Sequence, residues 1–451
     1  MNKLAKLTAG IVLATTLASG VCFAQTVTPH FTERSKKIVL PKDALVNPNI
    51  RDGMITVSYG GNGLAYVNAE GKYVFGTDFP VSIGNAFVNS GLFSGGAVAV
   101  WRKKKPDDFT VSPSILYPNG KYKELPNDIS HLSQFEDGVA LAQKGTSVIM
   151  GVKQIFMDKN GKEIYPKLTS TQRGTFGDTK IYPLREKLRV YYNADLKKYG
   201  YADDKGNIAI KPQYEKALSF SEGLAAVQVS DGQRAKWGFI DTKGKMVVPA
   251  TYILQPGKFS EGLAAVRIGE ADYDFEMAYI DKTGKRVIEN VKWSLNEFHD
   301  GFAWVKKEAC DKIVVIDKEF KEVSDITKGF KEYSTPDVCG FKMQYEGKSD
   351  WGFDFPNGQL AINGYGLGIG DIYTPNGTRI LRAADSEGGN IMLSSQTEGG
   401  LYFAQVRFKN EARLGEADIT IPVFINAQGE IIYYFQAGKE GYEGLKPTAV
   451  K

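Results

Sequence analysis

Carboxylates are the side chains of this sequence that could most readily perform chemistry. Some propeller-fold enzymes hydrolyse glycosides with two or three carboxylates that act as acid, base or nucleophile around one bond. Glu222 and Glu261 recur at equivalent places in a repeat, which predicts a role in turns. The acids that do not recur predict either solvated loops or a catalytic set, and they are Asp272, Asp274, Glu276, Asp371 and Asp385.

Other reactive side chains form no recognisable site. The three histidines, His30, His131 and His299, are widely separated, and their spacing fits no zinc motif. The sequence has no Gly-x-Ser-x-Gly elbow, no complete phosphate-binding loop and no dinucleotide-binding glycine pattern. We therefore predict no catalytic residue, no metal site and no cofactor.

Two identical octets show that the chain is an array of one small unit. Phe220 to Val227 and Phe259 to Val266 both read FSEGLAAV, and Phe298 to Val305 reads FHDGFAWV at the same spacing. Similarity at a fixed period is the signature of repeat architectures. The apolar end of the octet has no polar alternation, which predicts a strand that is buried on both faces.

A second motif follows each octet and predicts a β-hairpin. Asp241 begins its turn, and Gly244 lies three positions later. The carboxylate can accept backbone N–H groups inside the turn, and glycine adopts the left-handed conformation there. A calcium site would need several converging oxygen ligands, so one acid per unit favours the turn. The same pair recurs as Asp158 and Gly161, Asp203 and Gly206, Asp281 and Gly284, and Asn426 and Gly429.

These motifs predict an all-β repeat protein built from three-stranded antiparallel units of about 40 residues. We count about nine units between Asn49 and Tyr434. One such sheet is marginally stable in water, so stacking of the units must supply the core. Two architectures satisfy this requirement: a closed, β-propeller-like ring, and an open β-solenoid or superhelix.

The motifs resemble the WG-repeat family, also called KWG repeats, which occurs in many bacterial proteins. The similarity runs from Trp237 to Asp241, continues through Gly244 and Lys245, and includes Phe259 to Ala264. Tyr199 to Ala225 is similar with Tyr in place of Trp. The resemblance implies a repeat module that is often exported and has no assigned activity. It brings no catalytic residues, and it implies packing roles for the Trp-Gly pairs.

The N-terminus predicts a secretory signal peptide. Lys3 and Lys6 precede a short apolar run, and small residues at Cys22 and Ala24 predict cleavage between Ala24 and Gln25. Loss of the two lysines lowers the formal net charge from +4 to +2, which gives no reason to expect nucleic acid as a partner. No later stretch is apolar for long enough to span a bilayer. We predict an exported protein that is periplasmic, secreted or at the cell surface.

The chain divides into four predicted segments. The signal peptide (1–24) is followed by a lead-in segment (25–48), the repeat array (49–436) and a polar tail (437–451). The repeats are clearest over 184–323 and degenerate over 326–436. Cys310 and Cys339 remain after cleavage, and they could form a disulfide in an oxidising compartment or stay as two buried thiols.

An exported array without a catalytic set favours a binding or scaffold protein of the cell envelope or extracellular space. Its partner would be a protein, a peptide or a glycan, because arrays present extended surfaces of variable residues. The alternative is a propeller-type carbohydrate-active hydrolase with paired carboxylates. Aromatic residues in irregular loops could form a binding platform or pack in the core, and they are Tyr182, Tyr191, Tyr192, Tyr273, Trp293, Tyr333, Tyr365 and Tyr373.

Overall fold

Strands make up almost all the regular structure of the protein. The computed structural model describes residues 29–60, 63–82, 91–103, 110–145, 152–168, 170–172, 182–230, 232, 234–269, 276–291, 297–307, 312–325, 360–363, 370–382, 392–397, 399–408 and 419–437. In these ranges there are 34 strands and one 3-10 turn, Pro166–Leu168. The predicted all-β class is confirmed. The same ranges contain no helix that is long and apolar enough to cross a membrane.

The strands follow one another in nine small antiparallel units. After β1 (His30–Leu40), the first unit contains β2 (Leu45–Arg51), β3 (Met54–Tyr59), β4 (Gly63–Val67) and β5 (Tyr73–Phe75). The second contains β6 (Val81–Ser82), β7 (Val98–Lys103), β8 (Val111–Leu116) and β9 (Tyr122–Glu124). The third contains β10 (Ile129–Leu132), β11 (Val139–Lys144), β12 (Val152–Asp158), β13 (Glu163–Ile164) and β14 (Ser170–Gln172). Because β6 pairs with both β4 and β7, the first two units share one sheet.

The middle units have the clearest repeat sequences and the most regular sheets. The fourth contains β15 (Leu188–Asn193), β16 (Lys198–Asp203) and β17 (Ile208–Tyr214). The fifth contains β18 (Lys216–Ala217), β19 (Leu224–Val229), β20 (Lys236–Asp241) and β21 (Met246–Tyr252). The sixth contains β22 (Leu263–Ile268), β23 (Glu276–Asp281) and β24 (Arg286–Val291).

The last three units complete the array. The seventh contains β25 (Phe302–Lys307), β26 (Lys312–Asp317) and β27 (Glu322–Asp325). The eighth contains β28 (Leu360–Asn363), β29 (Gly370–Tyr373) and β30 (Arg379–Arg382). The ninth contains β31 (Met392–Gln396), β32 (Tyr402–Phe408), β33 (Ile419–Ile425) and β34 (Glu430–Ala437).

The apolar end of each octet forms a strand of its own unit that packs against the units on both sides. In the fifth unit, β19 pairs antiparallel with β20, and Leu224 lies opposite Asp241. Ala225 and Val227 pack on the fourth unit, whereas Leu224 and Ala226 pack on the sixth. Successive side chains of a strand point to opposite faces, so an unbroken apolar run fills two interfaces at once. The predicted burial on both faces is confirmed.

The hairpin turns have the predicted chemistry. Asp241 Oδ1 accepts hydrogen bonds from the N–H groups of Lys243 and Lys245, both at 2.9 Å. Gly244 adopts a φ of +83°, a left-handed conformation that other residues rarely adopt. Equivalent bonds from two backbone N–H groups to one side-chain oxygen occur at Asp158, Asp203, Asp281 and Asn426.

In the pair Trp237-Gly238, the tryptophan side chain packs in the core, and the backbone of β21 lies very close to the glycine. Trp237 is buried beside Phe239 and Tyr252 in the core between the fifth and sixth units. A Cβ atom at Gly238 would lie 2.6 Å from the carbonyl oxygen of Val248, because β21 bulges towards β20 at this point. Backbone atoms cannot yield as a flexible side chain does, so glycine is required here for steric reasons.

The hairpin turns of the second to sixth units and of the eighth lie against the preceding unit. A Cβ atom at Gly244 would lie 3.1 Å from Ile210 Cγ2, and one at Gly284 would lie 3.0 Å from Val248 Cγ1. The stacking of consecutive units is therefore continuous along this part of the chain. The same contact joins Gly120 to Val74, Gly161 to Leu125, Gly206 to Tyr165 and Gly377 to Val315.

The first strand joins the two ends of the array. β1 pairs in parallel with β34, from His30 opposite Glu430 to Leu40 opposite Ala437. Ile38 of β1 packs in one core with Val57 of the first unit and Phe435 of the ninth. The hairpin glycine of the first unit, Gly71, lies against Lys36 and Ile38, so β1 occupies the place that a preceding unit fills elsewhere.

These contacts make the array a closed ring. The sixth and seventh units share a core around Tyr279 and Phe298, and β28 and β29 contact β31. The ninth unit reaches the first through β1 and through contact between β31 and β2. The predicted β-propeller-like architecture is therefore confirmed over the open β-solenoid or superhelix. Residues 30–48 of the predicted lead-in segment (25–48) contribute strands to both ends of the ring.

Candidate interaction surface

The units expose two different ends. In the fifth unit, Leu224 lies opposite Asp241 and Val229 lies opposite Lys236. The octet turn before Leu224 and the hairpin turn after Asp241 therefore share one end, which we call the turn side. The connection between β19 and β20 lies at the other end, which we call the loop side. Connections of this second kind differ in sequence from unit to unit.

On the turn side, the recurring octet acids join consecutive units. Glu222 accepts hydrogen bonds from the N–H groups of Glu261 (2.5 Å) and Gly262 (2.8 Å) in the next octet turn. Glu261 in turn accepts from the N–H of Gly301, at 3.0 Å. The sequence predicts that these acids serve turns, and they do, but the turn is that of the following unit. The other bonds of this ladder run from Gly96 N–H to Asp52, from Leu184 N–H to Asp137 and from Gly223 N–H to Glu186.

Hydroxyl and ammonium groups reinforce the same contacts. Ser221 Oγ donates to the carbonyl oxygen of Phe259, and Ser260 Oγ donates to that of Phe298, each at 2.6 Å. The Lys282 ammonium lies 3.2 Å from the Glu222 carboxylate. The Ser-Glu-Gly sequence of the octet is therefore a connector between units. Backbone N–H groups bind the carboxylates of Glu222 and Glu261, and Lys282 also lies beside that of Glu222. These acids therefore have a structural role.

The ladder predicts acid-sensitive stability. Burial acts to raise the pKa of Glu222, but the N–H groups of Gly262 and Glu261 and the Lys282 ammonium outweigh it and hold the pKa below its ordinary value of 4.5. A carboxyl with a lowered folded-state pKa stabilises the fold above its unfolded-state pKa, and this contribution is lost as the pH falls through the folded-state pKa. We expect Glu222→Gln to lower the free energy of unfolding by about 1–2 kcal/mol at pH 7.

Urea denaturation measured from pH 7 to pH 3 checks this prediction. The difference between parent and Glu222→Gln should shrink as the pH falls from about 4.5 through the lowered folded-state pKa of Glu222, because protonation there leaves both side chains uncharged. Glu70→Gln, at an exposed hairpin-turn position, is the control and should leave stability unchanged. A difference for Glu222→Gln that is the same at every pH would show that its charge does not stabilise the ladder.

The two non-recurring acids among the described residues lie on strands of different units. Glu276 begins β23 in the sixth unit, whereas Asp371 lies on β29 in the eighth. Asp272, Asp274 and Asp385 lie outside the described residues, as do Ala24, Gln25, Cys310 and Cys339. His30, His131 and His299 lie on β1, on β10 and in the seventh octet. No group of three or more His, Cys, Asp or Glu side chains in the described ranges could hold a metal ion.

The candidate aromatic residues occupy two kinds of environment. Tyr191 and Tyr373 are buried. Tyr182 and Tyr192 are half-buried, and both contact Tyr199, with ring centroids 6.4 Å and 5.0 Å away. We call these three residues the tyrosine ledge. Tyr273, Trp293, Tyr333 and Tyr365 lie outside the described residues.

The tyrosine ledge continues onto the loop side of the fourth unit. Tyr192 and Tyr199 are cross-strand partners that flank the loop between β15 and β16. Leu196 of that loop is 58% exposed, which is a large exposure for an apolar side chain. Sequence reasoning missed Tyr199 because it occupies the position of Trp237, which is buried. The repeat pattern of the sequence does not indicate that the loop between β15 and β16 is exposed.

A second aromatic cluster in the first two units holds a cation. The Arg102 guanidinium lies 4.7 Å from the ring centroid of Phe79 and 4.6 Å from that of Tyr122, within cation–π range. Its Nη1 also donates to Glu124 at 2.7 Å. In the sequence, Arg102 begins the basic run Arg102 to Lys105, which contains no aromatic residue. Its aromatic partners come from other strands, so only the fold brings them together.

Comparison with solved structures finds several distant similarities. The chain resembles a eukaryotic initiation factor over 82% of its own length and 93% of the other chain, with 14% identity and a TM-score of 0.46. It resembles the β-propeller domain of the Trilobed protease from Pyrococcus furiosus over 65% and 93%, with 11% identity and a TM-score of 0.33. It resembles Porphyromonas gingivalis dipeptidyl peptidase 4 over 81% of its own length and 64% of the other chain, with 10% identity and a TM-score of 0.37. All three TM-scores are below 0.5. The assignment of a closed ring therefore rests on the contacts between units described above and not on these similarities.

Comparison of sequences locates the repeat family. No curated protein matches the chain. The family model of the WG containing repeat matches residues 199–232 and 237–270, which hold most of the fourth-unit hairpin, the fifth unit and the first strand of the sixth. The resemblance expected from the motifs is confirmed for these two adjacent repeats, which match the WG containing repeat.

Proposed function

We propose that this chain is an exported, non-catalytic binding or scaffold protein that presents its loop side to a protein, peptide or glycan partner of the cell envelope or extracellular space. The observation that carries the proposal is the tyrosine ledge beside the exposed Leu196. Tyrosine faces offer large apolar area together with a polar hydroxyl, a combination enriched at binding sites. Export is supported by the predicted signal peptide.

The turn side supports the same proposal. Hydrolysis of a glycoside requires two carboxyl groups that are free to act on one bond. Glu186, Glu222 and Glu261 instead accept backbone N–H groups of the next unit. Their conversion to catalytic groups would break contacts between units. A rigid ring with variable connections on one side is well suited to holding a partner.

Binding measurements on the mature protein test the proposal. Immobilised protein should retain a saturable partner from an envelope extract or a glycan array. The combined variant Tyr192→Ser, Leu196→Ser should bind that partner at least about tenfold more weakly, because aromatic and apolar anchors contribute most to such contacts. Ile208→Ser, at an exposed position of the same unit, should bind as the parent does.

Two outcomes would count against the proposal. The first is that the extract and the array yield no saturable partner. The second is that the double variant binds as tightly as the parent. Measurable hydrolysis of an oligosaccharide by the purified protein would instead favour the carbohydrate-active alternative.

A further inference from the structure

The third unit departs from the repeat at the position of the family tryptophan. Trp237 lies four residues before the hairpin acid Asp241, and the residue four positions before Asp158 is Gln154. Gln154 is the one amide among the nine units at this position, and its side chain is buried. The corresponding residues elsewhere are Leu64, Pro113, Tyr199, Met277, Ile313, Gly370 and Pro422.

Gln154 belongs to a polar row that crosses the third sheet. It lies opposite Gln143 of β11, which in turn lies opposite His131 of β10. Directly opposed residues share one face of a sheet and have Cβ atoms about 5 Å apart. The row therefore places three hydrogen-bonding side chains side by side.

The polar row faces the fourth unit. Leu141, two residues before Gln143, and Phe156, two residues after Gln154, pack in one core with Tyr191 and Ala202 of the fourth unit. Residues two apart on a strand share a face. Tyr191 therefore approaches the polar row from across the interface, at the position that Val227 fills in the fifth unit.

Three atoms of this region are buried without a hydrogen-bond partner. They are Gln143 Nε2, His131 Nε2 and the Tyr191 hydroxyl, and Gln143 and Tyr191 are each only 3% exposed. An unpaired buried polar group is costly, and native structures contain few of them. Three such atoms in one interface are a cost to folding that hydrogen bonds to another molecule would offset.

The charged groups near the polar row lie beside ions of opposite sign: the Asp128 carboxylate, one of whose oxygens is buried without a hydrogen bond, lies 3.9 Å from the Lys144 ammonium. Burial lowers the pKa of His131, which favours the neutral imidazole. Arg189, the buried cation of the same interface, donates to the carbonyl oxygens of Tyr182 and Glu136 and lies 3.6 Å from the Asp137 carboxylate. The free hydrogen-bonding capacity is therefore that of an amide, an imidazole and a phenol.

We propose that the interface between the third and fourth units binds a small uncharged compound rich in hydroxyl or amide groups, held by Gln143, His131 and Tyr191. An uncharged ligand fits because the unpaired groups are neutral, and hydroxyl or amide groups can both donate and accept. The compound is a free sugar or polyol, or the terminal residue of a glycan. This site lies on the opposite face of the fourth unit from the tyrosine ledge, and it does not depend on the proposed function.

Calorimetric titration of the full chain tests the site. The probes are glucose, N-acetylglucosamine and myo-inositol, followed by a glycan array. Saturable binding is expected for at least one probe or glycan, and Gln143→Leu and Tyr191→Phe should each weaken it at least about fivefold. Binding of free probes identifies a small-molecule ligand, whereas binding to the array alone identifies a glycan terminus.

Stability measurements separate loss of the site from loss of the fold. Both variants remove an unpaired buried polar atom, so their melting temperatures should equal or exceed that of the parent. Gln213→Leu replaces an exposed glutamine and should not change binding. Absence of saturation with every probe and glycan would overturn the proposal, as would binding that neither variant weakens, or a crystal structure with only ordered water at these atoms.

Discussion

Deletion of residues 29–40 should open the ring and lower the free energy of unfolding by about 5 kcal/mol or more. The deletion removes the complete pairing of β1 with β34 and the buried side chains Ile38 and Leu40. Each buried aliphatic side chain contributes about 1.5–3 kcal/mol, and the hydrogen bonds between the strands add to this. It also exposes Phe435 and the edge of β34, so we expect a greater tendency to aggregate.

A point variant isolates the closing contact from the effects of deletion. Ile38 is 1% exposed, and its replacement by Ala should cost about 2–5 kcal/mol in urea denaturation. The neighbouring Val39 is 51% exposed, so Val39→Ala is a matched control that should leave stability unchanged within about 0.5 kcal/mol. Equal stability of Ile38→Ala and the parent would show that β1 does not close the ring.

Replacement of Phe259 by Ala should cost about 3–5 kcal/mol. Phe259 is fully buried in the core between the fifth and sixth units, with its ring centroid 4.9 Å from that of Phe239. The octet phenylalanines Phe220 and Phe298 make the same contact with Tyr201 and Tyr279, so the cost should recur at each. The physical reason is a cavity that the rigid strands on either side cannot fill.

Thermal unfolding of Phe259→Ala and of the control Val287→Ala measures this contribution. Val287 is 38% exposed on β24, so its truncation should leave the melting temperature close to that of the parent. A Phe259→Ala protein that melts within a degree or two of the parent would contradict the assignment of the octet as the core of each interface.

The repeat motifs predict the units well because their chemistry is local. Asp241 and Gly244 specify a turn within five residues, and the Leu224 to Val227 run specifies a strand buried on both faces. What the sequence does not reveal depends on which units are neighbours. The bond from Glu222 to Gly262 joins two turns 40 residues apart, and no local pattern indicates it.

The closing strand is hidden for the same reason. β1 has no repeat motif, and its partner in β34 lies about four hundred residues later. Tyr191 shows a different difficulty, because sequence reasoning places it with the loop aromatics while strand alternation turns it towards the third unit. The polar row at Gln154 becomes visible only when the nine units are aligned on their hairpin acids.

Closure of the ring is the central claim, and a distance between the ends of the paired strands tests it most directly. Spin labels at Lys42→Cys and Gln428→Cys, with Cys22, Cys310 and Cys339 replaced by Ser, occupy exposed positions beyond opposite ends of the β1–β34 pair. At 3.3 Å per residue, a closed ring places them about 30–40 Å apart, with a narrow distribution in pulsed dipolar spectroscopy. A broad distribution extending towards about 90 Å, the length of nine sheets stacked at about 10 Å, would contradict closure.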